Sequence, residues 1–166
     1  MNELFERFVI SVFKQAEESV PTVSVKSHKK HHLDLDGSSW IEPDLTLEGP
    51  SHSLVAVDAK YKRTRGPDKA KHPDLYQVIS YCVSLGLIGQ VSSPVQGILV
   101  YPLAESSPEL EGVLRVITSK RPSSELSIRV MCLDLHSQDL IGKAKQAFTR
   151  ILQEIPVLSS AIREQR

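Results

Sequence analysis

The sequence predicts a single α/β domain in which a mixed β-sheet is flanked by α-helices. Three observations carry that expectation. An amphipathic helix opens the chain, three strand-like runs separated by turn signals follow, and a second helix intervenes before the next apolar strand. Strands joined by short turns pair antiparallel, whereas a helical crossover returns the chain to a strand that lies parallel. At 166 residues one domain is the simplest organisation, and it is large enough to bury its own core.

Each element follows from local pattern. Leu4, Phe5, Phe8, Val9, Val12 and Phe13 recur at helical spacing, which predicts a helix over about residues 2–18. Val20-Pro21 ends it, because the residue before proline disfavours helix. Residues 22–35, 40–48 and 53–61 read as strands, separated by DGSS and by Gly49-Pro50. A second helix is expected from Pro73, a favoured first-turn residue, to about Leu85, closing at Gly86. VQGILVYP is a short apolar strand, and two further strands are expected at 112–118 and 126–134. From Ser137 the positions Leu140, Ile141, Ala144, Ala147, Phe148 and Ile151 are helical, and Pro156 is expected to set off a last short helix.

Composition narrows the class further. Hydrophobic residues at 40% and charged residues at 24% suit a soluble globular protein. Glu3, Glu6 and Arg7 break the N-terminal apolar run, which excludes a secretory leader there, and no stretch approaches the ~18 apolar residues of a membrane span. Cys82 and Cys132 fit no metal or disulfide spacing and are expected to be reduced core thiols of a cytoplasmic protein.

Formal net charge is zero, yet the charges are segregated. From Leu33 to Ala59 there is no Lys or Arg but six acids: Asp34, Asp36, Glu42, Asp44, Glu48 and Asp58. Lys60, Lys62, Arg63, Arg65, Lys69 and Lys71 follow, and Lys29 and Lys30 precede it among His28, His31 and His32. Two readings stay open: solvated faces that alternate, or carboxylates holding a metal within a cationic rim that binds a phosphate polymer.

Strand alternation sharpens the second reading. Side chains of successive strand residues point to opposite faces, so Val55, Val57, Ala59 and Tyr61 share one face and Ala56, Asp58, Lys60 and Lys62 the other. If the two preceding runs pair as a hairpin, Asp44 converges with Asp58 at one edge of the sheet, with Lys60 beside them. Two carboxylates at one point repel unless a cation lies between them or one is protonated. Oxygen donors without His or Cys favour Mg²⁺, with Mn²⁺ as an alternative, and the Ala59 carbonyl could add a donor. Such an ion, with a lysine to neutralise developing charge, fits phosphodiester hydrolysis. Glu48 lies about 13 Å along the strand from Asp44, too far to share one ion.

Pro43-Asp44, thirteen intervening residues, then Asp58-Ala59-Lys60 resembles the PD-(D/E)xK pattern of restriction-endonuclease-like nucleases. The combination LFERFV, PDLTLEG, LVAVDAKYKR and DLYQVISYC resembles the McrC family, nuclease subunits of the McrBC modification-dependent restriction system, over roughly residues 2–86. The resemblance implies a restriction-endonuclease-like core over residues 1–166, a Mg²⁺-dependent DNA endonuclease, and a McrB-like AAA+ GTPase partner. It implies Asp44 and Asp58 as metal-binding acids, Lys60 as catalytic lysine, Glu6 as the acid that completes the metal site, and Gln77 as an active-site residue. Gln77, Tyr81 and Ser84 share a helical face that looks either at the site or at solvent, and Glu6 flanks the apolar face of its helix, inward or exposed.

Lys29, Lys30, Lys62, Arg63, Arg65 and Tyr81 are the candidate nucleic-acid contacts. His28, His31 and His32 lack a coherent ligand set and read as a DNA-contacting basic loop or an uninvolved surface loop. Trp40 reads as packing at the sheet end in preference to base stacking. McrC proteins usually carry a further N-terminal docking region, whereas this chain opens at the nuclease helix, which puts GTPase coupling in question. No Gly-rich phosphate loop occurs, so no nucleotide is expected on this chain. Cutting both strands would call for a dimer. Two alternatives remain beside the nuclease: a catalytically silent module of the same fold for nucleic-acid binding or assembly, and a repair or junction nuclease.

Overall fold

A computed structural model describes residues 2–50, 53–62, 67, 70–88, 96–103, 111–117 and 125–161. In chain order the elements are α1 (Asn2–Glu17), β1 (Ser24–Ser27), β2 (His31–His32), β3 (Trp40–Ile41), β4 (Leu45–Glu48), β5 (Leu54–Ala59), α2 (His72–Ile88), β6 (Gln96–Pro102), β7 (Glu111–Ile117), β8 (Glu125–Leu133) and α3 (Leu140–Ala161). Six strands form one sheet in the order β1-β4-β5-β6-β8-β7, and β2 with β3 forms a separate two-stranded ribbon. β1, β4 and β5 pair antiparallel. β5, β6 and β8 run parallel, with α2 as the crossover between β5 and β6, and β7 closes the far edge antiparallel. The mixed sheet is the one expected.

Alternation assigns the sheet faces. On one side Val55, Val57, Ile98, Val100, Met131 and Leu133 pack against α1 and α3. Phe13 of α1 stacks on Phe148 of α3 with ring centroids 3.9 Å apart. On the other side Ala56, Leu99, Tyr101, Ile128 and Val130 meet Val78, Cys82 and Leu85 of α2. Burying each large aliphatic or aromatic side chain contributes about 1.5–3 kcal/mol, so these two layers are the main source of stability. The edge strand β1 is covered by the end of α1: Val25 N–H donates to Glu17 Oε1 at 2.9 Å, and Lys14 Nζ donates to the Val25 carbonyl. Among the described residues no helix is long and apolar enough to cross a membrane. Both cysteines are buried and form no disulfide.

Four expectations need correction. The run 22–35 is two short strands, β1 and β2, broken at His28, whose φ of 49° takes the chain out of the extended region. The run 40–48 is likewise split into β3 and β4 by Glu42-Pro43-Asp44, since proline has no N–H for a ladder bond. Residues between the two breaks fold back as the β2–β3 ribbon, turned through Gly37 (φ 72°). α2 runs three residues past Leu85 to Ile88, because Gly86 lowers helix propensity without ending a helix already packed on the sheet. Finally, α3 continues through Pro156 to Ala161 as one helix; the proline removes one backbone donor and the flanking turns persist. That helix is capped by Asp139, whose Oδ1 accepts the Gly142 N–H at 3.2 Å.

Candidate active site

The site lies where β4 begins and β5 ends. Leu45 is registered with Val57, so one step outward puts Asp44 opposite Asp58 on the α2-facing side. Pro43, buried just before Asp44, has no N–H to carry the β4–β5 ladder further. The Asp44 Oδ2 accepts the Ala59 N–H at 2.7 Å. Lys60, the next residue, turns its N–H to the opposite flank and donates to Val100 O at 2.8 Å. In an extended strand one residue's N–H and C=O share a flank, so the Ala59 carbonyl is directed toward Asp44.

Asp58 is 1% exposed, at the end of a strand whose neighbours are fully covered. Lys60 Nζ stands 2.8 Å from its Oδ2. That is an ion-pair distance, but neither Asp58 oxygen has a hydrogen-bond partner of sound geometry. A buried carboxylate in that state is short of positive charge or of donors. Burial first, and the neighbouring Asp44 second, push its pKa up to about 6. Asp44 is also raised by burial, against which the Ala59 N–H and the Lys60 charge act. For Lys60, burial alone would lower the ammonium pKa. The contact with Asp58 and the fields of Asp44 and Asp74 outweigh it, and the net direction is up.

These residues suit a hard divalent cation. Among the described residues no cluster of three or more His, Cys, Asp or Glu side chains is placed to hold a metal. Side-chain donors therefore number two, Asp44 and Asp58, with the Ala59 carbonyl beside them. Mg²⁺ is commonly held by one or two carboxylates, its other positions filled by water and substrate phosphate. The unsatisfied oxygens of Asp58 are what such an ion would satisfy.

The remaining candidates fall into groups. Glu6 reaches the site's edge from α1: burial and then Asp44 raise its pKa, while its carboxylate contacts His28 Nε2 at 3.3 Å rather than the acid pair. Gln77 is exposed and donates to the Tyr81 hydroxyl at 2.8 Å. Tyr81 is half-buried, and its pKa is raised by burial and also by Asp58 and Asp44, so this face of α2 looks at the acids. Lys62 is bound at 2.6 Å to Asp74, which is buried and also accepts the Tyr101 hydroxyl at 2.9 Å. Lys29 pairs with Glu48 at 2.5 Å, and Lys30 sits 4.4 Å over the Trp40 ring. Trp40 is thus half-exposed under a cation and not packed at the sheet end. Arg63 and Arg65 lie outside the described residues.

Three residues acquire roles that sequence reading did not give them. His31, read as part of a surface loop, is buried, and its Nε2 lies 2.9 Å from Thr46 Oγ1, pinning the ribbon to β4; burial lowers its pKa. His28 stands beside Glu6 and Asp44. Asp74 is the hidden partner of Lys62. For Asp74 a signal existed: an acid in the first turn of α2, with a lone tyrosine near the end of the otherwise aliphatic strand β6.

A three-layer α/β/α sheet carrying an acid–acid–lysine corner at the end of its central hairpin is a fold of the restriction-endonuclease-like class. A family model described as McrBC 5-methylcytosine restriction system component matches residues 1–102. The chain belongs to that family. The matched stretch runs from α1 to the end of β6 and holds Glu6, Asp44, Asp58, Lys60 and Gln77. Among solved structures the chain resembles one from the refined half-complex of a tetradecameric assembly of Thermococcus gammatolerans McrB AAA+ hexamers with bound McrC. The TM-score is 0.61 at 21% identity over 93% of this chain, and the chain spans 33% of that one. At that identity the likeness speaks for the fold. No curated protein matches the chain.

Proposed function

We propose that this chain is the DNA-cleaving module of a McrBC-type restriction system, a Mg²⁺-dependent endonuclease that hydrolyses phosphodiester bonds. The observation that carries the reading is Asp58: buried, unsatisfied at both oxygens, opposite Asp44 and 2.8 Å from Lys60 Nζ. A purely structural position gains little from that arrangement, since a single lysine stands against two facing carboxylates, one of them fully buried. A bound Mg²⁺ supplies Lewis-acid polarisation of the phosphate and a lowered water pKa.

The chain's own residues do the rest. Asp58, with a pKa near 6, is largely ionised at neutral pH and fully so once a cation approaches. Asp44 is held in place by the Ala59 N–H and keeps its second oxygen for the same ion. Lys60 presents an ammonium that stays charged, placed to neutralise the charge that grows on the phosphate during attack. Gln77 and Tyr81 offer polar groups to the strand being cut. Family membership and the McrB–McrC likeness support a McrB-like AAA+ GTPase as the partner that supplies target choice. Cutting both strands would bring two copies together on the duplex.

The test uses the purified chain, with and without such a GTPase, on supercoiled methylated and unmethylated plasmid in Mg²⁺ or Mn²⁺. Nicking or linearisation is expected, lost in Asp58→Asn and in Lys60→Ala while both variants fold. Cleavage retained in both variants overturns the assignment of roles. Binding of DNA without metal-dependent cleavage by the wild type would favour the silent module instead.

A further inference from the structure

We infer that His28 is a positioning residue for the candidate metal site, fixing Glu6 beside Asp44; this rests on the nuclease reading above. His28 is the one non-glycine residue with a positive φ (49°) among those described. A left-handed backbone is unfavourable for most residues and persists only where the surroundings over-determine it. Three contacts do so. The His28 N–H donates to the Asp44 carbonyl at 3.1 Å, continuing the β1–β4 ladder by one step beyond Ser27 and Leu45. Its Nε2 lies 3.3 Å from Glu6 Oε1, and its Nδ1 lies 3.9 Å from Glu42 Oε1.

The turn therefore links two layers. The backbone of His28 is tied to Asp44 at the start of β4, and its ring is tied to α1. Glu6 is a flexible side chain whose immobilisation loses rotamer entropy. With the imidazole in place, that ordering is complete before any cation or DNA arrives. Lys60 contacts Asp58, and the His28 ring lies between Glu6 and Glu42. Glu6 then occupies a fixed place from which it can hold the water shell of an ion bound to Asp44 and Asp58. Without His28 the same carboxylate would swing to solvent, since it is already a quarter exposed.

His28→Gly, His28→Asn and Glu6→Gln separate this role from a structural one, each made in the whole chain. Glycine accepts the left-handed backbone and removes the ring, whereas asparagine tolerates that backbone and places its amide near the Nδ1 position, toward Glu42 and short of Glu6. Mn²⁺ titration by calorimetry and thermal melting are read on each. His28→Gly is expected to melt at or above the wild type yet bind Mn²⁺ roughly 10-fold more weakly, the usual size of a lost outer-shell partner. Glu6→Gln should match it, the double variant should lose no more than either single one, and His28→Asn, which keeps the backbone but not the Nε2 contact, should be weakened like His28→Gly. In cleavage, kcat falls with KM for DNA unchanged. Unaltered Mn²⁺ affinity in His28→Gly, additive losses in the double variant, or a raised KM at constant kcat overturns the inference. Asp58→Asn is the control: if it binds Mn²⁺ like the wild type, the metal-site reading itself falls, and this inference with it.

Discussion

Asp44 and Ala59 are joined across the β4–β5 hairpin by a hydrogen bond from the Ala59 N–H to Asp44 Oδ2 at 2.7 Å. That bond gives the Ala59 N–H an acceptor just past the last ladder pair, and it holds one carboxylate against another at the point where the sheet ends. Asp44 thus has two functions that substitution can separate. Asp44→Asn keeps an acceptor for Ala59 but removes the charge facing Asp58. Its melting temperature is expected to equal or exceed that of the wild type in metal-free buffer, while plasmid nicking is lost. Asp44→Ala removes the acceptor as well, leaving the Ala59 N–H without its partner at a cost of about 1–3 kcal/mol, read by urea denaturation. Equal stability of the Asn and Ala variants would show that the bond contributes nothing.

Asp58 makes stability fall as pH rises. Its folded pKa, near 6, lies above the unfolded value of about 3.9. Between those two values the folded state binds more protons than the unfolded one, so unfolding free energy decreases with pH across that window and levels off above it. The shift corresponds to about 3 kcal/mol at neutral pH, an upper figure because burial and Asp44 act together. Urea melts of the wild type and Asp58→Asn from pH 4 to 7, without divalent metal, provide the check. The Asn variant is expected to gain on the wild type as pH increases. Mg²⁺ should raise the wild-type midpoint at pH 7 and leave the variant where it was. A gap that shrinks with pH would contradict the assigned direction.

Much of this was legible in the residues, and the remainder shows what periodicity leaves out. Alternation over 54–62 put Val55 and Val57 on one face and Asp58 and Lys60 on the other, and the spacing of Asp44 from Asp58 anticipated their register. Both are local properties of an extended chain, so a sequence carries them openly. His28 carries no such mark, because the left-handed turn there is imposed by what the histidine touches in other elements. The fold-back of residues 31–41 follows from that turn, and it buries His31 inside a run that looks uniformly basic and exposed. Lys62 reads as rim charge until α2 brings Asp74 beneath it, a contact set by tertiary packing. Pro156 misleads in the other direction, since packing of α3 on α1 outweighs one missing backbone donor.

Lys62 offers a test that separates fold from DNA contact. Its ammonium is the counter-charge of Asp74, which is 2% exposed and also bonded to Tyr101. Lys62→Ala is therefore expected to destabilise the fold by about 1–3 kcal/mol, the cost of a buried charged group losing a partner. Tyr101→Phe, which leaves the other Asp74 oxygen without its donor, should cost a similar amount. Lys62→Ala combined with Asp74→Asn should recover part of the loss, because the uncompensated charge goes with its partner. Denaturant midpoints provide the measure. A single variant with unchanged stability but weaker DNA binding would instead assign Lys62 wholly to the cationic rim.

Gly97 sets the distance between α2 and the sheet. A Cβ there would stand 2.3 Å from Val78 Cγ1 and 2.8 Å from Cys82 Sγ, both on the helix that carries Gln77 and Tyr81. The helix lies so close that glycine alone fits under it. Gly97→Ala is expected to destabilise by about 1–3 kcal/mol, the range for overpacking a filled core. Val78→Ala removes the methyl that clashes and, on its own, costs stability through the space it leaves. Together the two substitutions should cost less than the sum of their separate effects, since one supplies volume where the other removes it. Because α2 also presents Tyr81 to the acids, Gly97→Ala should lower cleavage even at temperatures where the protein stays folded. A simple sum of the two stability losses would mean that α2 shifts as a rigid body instead of meeting Gly97 at Val78.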